Sequence, residues 1–221
     1  MCNLLKYKDR MDQARATFEE ISDIRINPKL NFKVAPSEPA PVLFKRDGST
    51  VIDMMNFGFN THRGRQMMAR GETVAKLRTF RDSFKSRRCL VLVHGFYDSE
   101  DLGRHAPKQP WHIHLKGDGL MCFAALWEST PGADNFTIVS APANRVVARV
   151  IDRMPVILPQ EQWRAWMDEK ADPETLLPLL RPFPEELMEA YPVTKMVNQK
   201  GFNGPECEVP IALEQPDLGL F

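Results

Sequence analysis

The run from Cys89 to Phe96, CLVLVHGF, constrains the fold more than any other stretch of the chain. A short, almost continuous apolar run of this kind suits a buried β-strand. No apolar run approaches the roughly 18 residues that a membrane span needs. Further strand signals surround it. PVLFKRDGSTVIDMM (41–55) reads as two short strands about Asp47-Gly48, a strong hairpin signal. WHIHLKGDGLMCFAALWE (111–128) reads as a second hairpin, turning at Lys116-Gly117-Asp118-Gly119. NFTIVSAP (135–142) and MPVIL (154–158) add strands. Helical spacing is confined to three places. Met11, Ala14, Phe18 and Ile21 predict an amphipathic helix over 10–24, and Val74, Leu77, Phe80 and Phe84 one over about 72–86. A short helix follows Pro159, with Trp163, Trp166 and Met167 facing the core, and Pro178, Pro182 and Pro184 interrupt what comes next. Strands outnumber helices and do not alternate with them, so the expected class is α+β rather than a wound parallel sheet.

The bulk properties narrow the setting. A chain of 221 residues with 43% hydrophobic and 26% charged residues has the balance of a soluble globular protein, and a single domain over 1–221 is expected. The opening MCNLLKYKDRMDQ turns charged at once, unlike a secretory signal. Cys2, Cys89, Cys122 and Cys207 are widely spaced with no CxxC pair, which fits reduced thiols and a cytoplasmic location. The net charge is zero, yet between Thr61 and Leu90 nine Lys or Arg face two acids. Such a local excess suggests a polyanion-facing surface; the plainer reading is a solvated helix face.

Cys2 carries the most chemistry. A small second residue usually permits removal of the initiator methionine, leaving cysteine with a free α-amine beside its thiol. The amine has a pKa near 8 and the thiol one near 8.5, so about a tenth of the amine is neutral at pH 7. Together the two groups condense with an aldehyde to a five-membered thiazolidine, which neither does alone. Against this stands an incidental cysteine in an unstructured terminus.

The order of motifs along the chain weighs on that choice. Cys2, FKVAPSEPAPVL, FGF, ARGETV, RRCLVLVHGFYD, QPW, FAALWES, IDRMPVIL and YPVTKMVNQKG together resemble the motif series of the SRAP family and cover nearly the whole sequence. The resemblance implies a bifurcated, mostly antiparallel β-sheet or barrel core flanked by helices. It further implies binding of single-stranded DNA, with an abasic-site aldehyde trapped on Cys2 as a thiazolidine crosslink. Lyase activity and an autopeptidase activity, from which the family takes its older label, belong to the same implication. Carried over residue by residue, Cys2 matches the nucleophile, Asp98 stands for the family's glutamate acid/base, and Arg70, Glu72 and Thr73 match its N-A-R-x-E-T segment. Several positions depart from the pattern: Met68 replaces the asparagine and Ile151 replaces the histidine of H-D-R-M-P. Asn3 and Leu4 replace the family's Gly and phosphate-binding Arg. Arg70, Arg78 and the rest of the basic stretch 76–88 are the expected phosphate contacts, with Thr73 and Arg153 beside them. Phe57 and Phe59 fall where the family carries aromatics next to DNA, although strand packing explains them equally. Glu72 reads equally as a helix-start acid.

Other signals have structural readings. His112 and His114 share a strand face and could ligate zinc with Cys122, but no fourth ligand is evident, so neither a metal nor a cofactor is expected. Cys89 reads as a buried inert thiol. Asp152 and Arg153 read as an ion pair. Two other function classes remain: a thiol peptidase using Cys2 with His94 or His62 as base, and a catalytically degenerate single-strand-binding module, which Met68 and Ile151 favour.

Overall fold

A computed structural model describes residues 4–7, 21–25, 30–62, 64–104 and 106–213. Its strands in chain order are β1 (Leu4–Tyr7), β2 (Ile21–Ile24), β3 (Asn31–Val34), β4 (Pro39–Arg46), β5 (Ser49–Phe57), β6 (Phe59–Thr61), β7 (Gly64–Gln66) and β8 (Met68–Arg70). After the helix α1 (Arg78–Ser86) come β9 (Arg88–Val93), β10 (Gly95–Glu100), β11 (Gln109–Leu115), β12 (Met121–Thr130) and β13 (Ala133–Pro142). Then follow β14 (Arg153–Pro155), β15 (Ile157–Leu158), α2 (Trp163–Met167), α3 (Pro173–Leu176) and β16 (Met188–Pro192). This is the expected α+β class, mostly sheet.

The larger sheet runs β14-β13-β12-β9-β4-β5-β2. It closes on itself where β5 and β13 pair in parallel at Asn56–Asn135 and Phe57–Phe136, giving a closed but uneven ring of strands. The sheet also forks. β12 and β13 pair antiparallel from Thr130–Ala133 up to Ala125–Ile138. Beyond that point β15 pairs with β12 at Cys122–Leu158, and β14 pairs with β13 from Ser140–Pro155 to Pro142–Arg153. Val156 bridges the two arms, accepting from the Ala124 amide at 2.9 Å and donating to the Val139 carbonyl at 2.8 Å. The smaller sheet, β16-β11-β10-β1-β3, is antiparallel throughout.

β9 shows why an unbroken apolar run was needed. Every residue of Arg88–Val93 is buried, and its side chains alternate between two cores. Cys89, Val91 and Val93 join an apolar cluster that includes Leu5, Val34, Phe96 and Ile113 of the smaller sheet. Leu90 and Leu92 join a second cluster with Phe80 and Phe84 of α1 and Trp163, Trp166 and Met167 of α2. Burial on both faces removes the usual polar alternation of a strand.

The first hairpin forms as expected. Arg46 faces Ser49, and Asp47 (φ 52°) and Gly48 (φ 78°) both lie in the left-handed region that a two-residue turn requires. Other expectations are corrected. The second predicted hairpin is not one: β11 pairs with β10 and β16, whereas β12 pairs with β9, β13 and β15. The tight turn at Lys116–Gly119 exists, with the Asp118 amide donating to the Leu115 carbonyl at 3.0 Å, but it carries the chain from one sheet to the other. Local turn chemistry fixed the bend while non-local pairing chose the partners. Of the helix predicted over 10–24, residues 10–20 lie outside the described residues. Ile21–Ile24 is a strand, parallel to β5. In the segment 72–86 only Arg78–Ser86 is α-helical; Leu77 caps it in extended conformation and is 48% exposed, while Phe80, Ser83 and Phe84 face the core.

Arg88 braces this packing. Its guanidinium donates to the carbonyls of Trp166 (2.8 Å), Phe84 (2.6 Å) and Lys85 (2.6 Å), and to that of Asp168. Replacing it with methionine strands several buried acceptors. Arg88→Met should therefore lower stability by about 3 kcal/mol or more, seen as a lower denaturation midpoint at unchanged m-value.

Candidate functional site

The fork sets one wall of the site. β14 lays Arg153 against Pro142, and β8, parallel to the other edge of β13, lays Arg70 against Ser140. The Gly71 amide donates to the Ser140 carbonyl at 2.8 Å, and a Cβ on Gly71 would come within 3.2 Å of that oxygen and of Leu180 Cβ. The chain turns sharply there and brings Glu72 back over Arg153. The Arg153 guanidinium meets Glu72 in a two-pronged bond, 2.9 Å to Oε1 and 2.8 Å to Oε2. It also donates to Ser140 Oγ at 3.1 Å and to the Ser140 carbonyl at 2.9 Å. The bond to Arg153, with help from Arg70, holds the Glu72 carboxyl below its usual range despite some desolvation. Arg153 therefore pairs with Glu72 and not with Asp152 as the sequence suggested. Nor is Glu72 a helix-start acid, since α1 begins only at Arg78. Ser140 was not foreseen; its only signal was a buried hydroxyl near the end of the apolar strand NFTIVSAP.

A second carboxyl lies on β10, one residue past its described pairing with β1. Asp98 on β10 is 5% exposed, and its Oδ1 accepts from the Ser99 amide at 2.8 Å. Burial pushes this carboxyl above its ordinary range. Its neighbour Tyr97 pairs with Leu4, the first residue of β1. Cys2 lies outside the described residues.

Met68 and Ile151, which stand in place of the expected asparagine and histidine, are half-buried and pack against the apolar core that includes Leu5 and Phe96. Met68 stands opposite Ile138, and the Ile151 amide donates to the Val147 carbonyl at 3.0 Å. Neither side chain offers a proton.

The predicted DNA contacts separate into two groups. Arg70, Lys76, Arg78 and Lys85 are exposed, and Thr73 is half-buried. Arg78, Leu77, Thr79 and Phe80 line an open groove of about 620 Å³ with Thr61, His62 and Gln66, a feature with no sequence signal. The rest of the basic stretch is occupied. Arg81 binds Asp82 at 3.1 Å, Arg87 donates to the Trp127 carbonyl and Ser83 Oγ, and Arg88 is the buried brace. Phe57 is likewise corrected: it is fully buried and stacks on Phe136 at 5.1 Å, where the ring closes, so it presents no face to a base. Phe59 is buried against Phe80.

His112 and His114 do share a face, stacked at 4.7 Å, but Cys122 belongs to the other sheet. Among the described residues no group of three or more His, Cys, Asp or Glu could hold a metal ion. His94 is buried between β9 and β10, whereas His62 is exposed.

The family model described as SOS response associated peptidase (SRAP) matches residues 1–200. The chain belongs to the SRAP family. Among its SRAP relatives, abasic site processing protein YoqW of Bacillus subtilis is 32% identical over 189 residues, covering 80% of this chain and 84% of the relative. Abasic site processing protein YedK of Escherichia coli is 26% identical over 215 residues, covering 91% and 96%. A crystal structure of a Bacteroides thetaiotaomicron protein superposes with a TM-score of 0.81 at 20% identity, over 96% of this chain and all (100%) of that one, a likeness of fold. No helix among the described residues is long and apolar enough to cross a membrane.

The Asp98 environment makes a pH prediction. A carboxyl whose pKa is raised by folding favours the folded state below its unfolded value near 3.9, and that contribution is lost as pH rises through the folded value. At pH 7, above the unfolded value, the buried group thus opposes folding. Asp98→Asn should raise Tm at pH 7 and leave it nearly unchanged at about pH 3, as read by thermal melts across that range.

Proposed function

We propose that this SRAP chain captures abasic sites in single-stranded DNA on Cys2. The observation that carries this reading is the pairing of Leu4 with Tyr97. It ties the chain just after Cys2 to the strand bearing the buried Asp98. Once Met1 is removed, the Cys2 amine adds to the C1′ aldehyde of the ring-opened sugar. Loss of water gives an imine, and the thiolate then adds to the imine carbon and closes a thiazolidine. The balance is one aldehyde and one aminothiol in, one ring and one water out, with no net redox change.

The chain's own groups fit parts of this sequence. Asp98 holds its proton to higher pH than an exposed aspartate and can deliver it to the departing hydroxyl. Arg70, Arg78 and Lys76 offer exposed cations to the phosphates. The bidentate link to Glu72 fixes Arg153 as part of the wall. A second reading, a binding module without capture, is favoured by the apolar packing of Met68 and Ile151. Single-stranded DNA with one abasic site, run on a denaturing gel, separates the two. A retarded band supports capture, whereas binding on a native gel alone supports the module.

Three further outcomes are expected. Cys2→Ala should abolish the covalent band and leave native-gel binding intact, while Arg70→Ala should flatten the log–log salt dependence of that binding by about 0.7 for each phosphate that Arg70 neutralises. Met68→Asn with Ile151→His should accelerate capture at least about tenfold in a time course, because a proton shuttle and a polar anchor are restored. Mass spectrometry must first show that Met1 is absent; equal rates would then favour the binding module.

A further inference from the structure

Lys6 is fully buried, an uncommon place for an ammonium group. It lies on β1 on the opposite face from Leu5, which enters the main core. Its Nζ is 2.6 Å from Glu208 Oε2, in the turn Pro205–Glu208, and 3.7 Å from Asp118 Oδ1, in the turn that crosses between the sheets. The backbone is fixed at the same residue: Lys6 pairs with Gly95, and its carbonyl accepts from the His94 amide at 2.8 Å. Toward β3 the register shifts between Leu5 and Tyr7, so Lys6 sits at an irregularity of the ladder.

The apolar pattern of β1 is a poor ruler. Its sequence is LLKY, and a slip by two residues keeps each face inward while moving the strand by roughly 6.8 Å. A cation at one position narrows the ambiguity: a slip that puts Leu4 in its place leaves Glu208 facing an apolar side chain, while the opposite slip brings Lys8 there only by putting Asp9 in the buried place of Tyr7. Using a buried charge to fix register at some cost in stability is an established role for such pairs.

We propose that Lys6 is a positioning residue: its pairing with Glu208 sets the register of β1 on β10 and thereby the approach of Cys2 to Asp98. This rests on the capture reading for its functional consequence, though not for its effect on β1. The pair does not touch substrate. It acts through four residues of strand, so its removal should slow capture without weakening DNA binding.

The test uses the full chain and four variants: Lys6→Met, Glu208→Gln, the double replacement Lys6→Met with Glu208→Met, and the exchange Lys6→Glu with Glu208→Lys. Each single variant should capture abasic single-stranded DNA at least about tenfold more slowly and bind an uncleavable tetrahydrofuran-containing strand within twofold of the parent. The double apolar variant separates positioning from stability, since apolar pairs often restore stability lost with a buried ion pair. Its Tm should recover while capture stays slow. The charge exchange should restore part of the rate. Capture at the parental rate in the double apolar variant would overturn the proposal, as would slow capture that follows Tm across the set. Amide hydrogen exchange of Leu5–Tyr7 provides a reading independent of chemistry. Exchange should quicken at least tenfold in the single variants and stay fast in the double one; parental protection there would equally overturn the proposal. A parental chain that forms no crosslink would end the capture reading, and the exchange data would still decide the role of Lys6.

Discussion

Where β12 and β13 part beyond Ala125 and Ile138, each acquires an edge whose peptide groups need partners. The segment Arg153–Leu158 meets that demand on both sides, three residues on the β13 arm and two on the β12 arm, with Val156 bonded across the gap. Much of the site follows from this. The segment cannot fill the fork without entering it, and Arg153 stands at the entry. Its guanidinium then satisfies the Ser140 carbonyl that the fork leaves at its mouth. β8 occupies the other edge of β13, so Arg70 and Glu72 arrive on the same stretch of strand from the opposite side. The parallel contact at Phe57–Phe136 then closes the ring and prevents the fork from splaying.

The two candidate carboxyls have opposite surroundings. Glu72 is half exposed and neutralised by a two-pronged guanidinium, which favours its charged form. Asp98 is enclosed by strands and favours its neutral form. Such divergence between carboxyls separates an acid from an electrostatic anchor. Met68 and Ile151 extend the dry side of the contrast, because each adds apolar surface where the family pattern carries a polar group.

Features governed by neighbours in sequence were legible. Asp47-Gly48 demands positive φ at both positions, and the hairpin followed. CLVLVHGF announced a strand covered on both sides, and its residues divide between two cores. Features governed by distant partners were not. The bend at Gly117-Asp118 has good turn chemistry, yet the strands it joins find their partners elsewhere. Arg153 and Glu72 are 81 positions apart, and nothing local preferred Glu72 over the adjacent Asp152. The basic stretch 76–88 showed the same limit from another side. Composition counts Arg88 as a surface cation, whereas packing makes it a buried donor to four carbonyls. Motif order carried the family assignment because it samples the whole chain.

Lys6 and Glu208 stand at opposite ends of the described chain, and β1 also waits for β10 to exist. On the ribosome, the first strand is therefore made long before either of its anchors. Vectorial synthesis usually lets early segments fold early, but here an early segment can only be seated last. Until the turn at Pro205–Glu208 emerges, the ammonium of Lys6 lacks its acid and the strand its clamp. Emergence of that turn thus acts as a timer, and a product stalled before it lacks the clamp on β1.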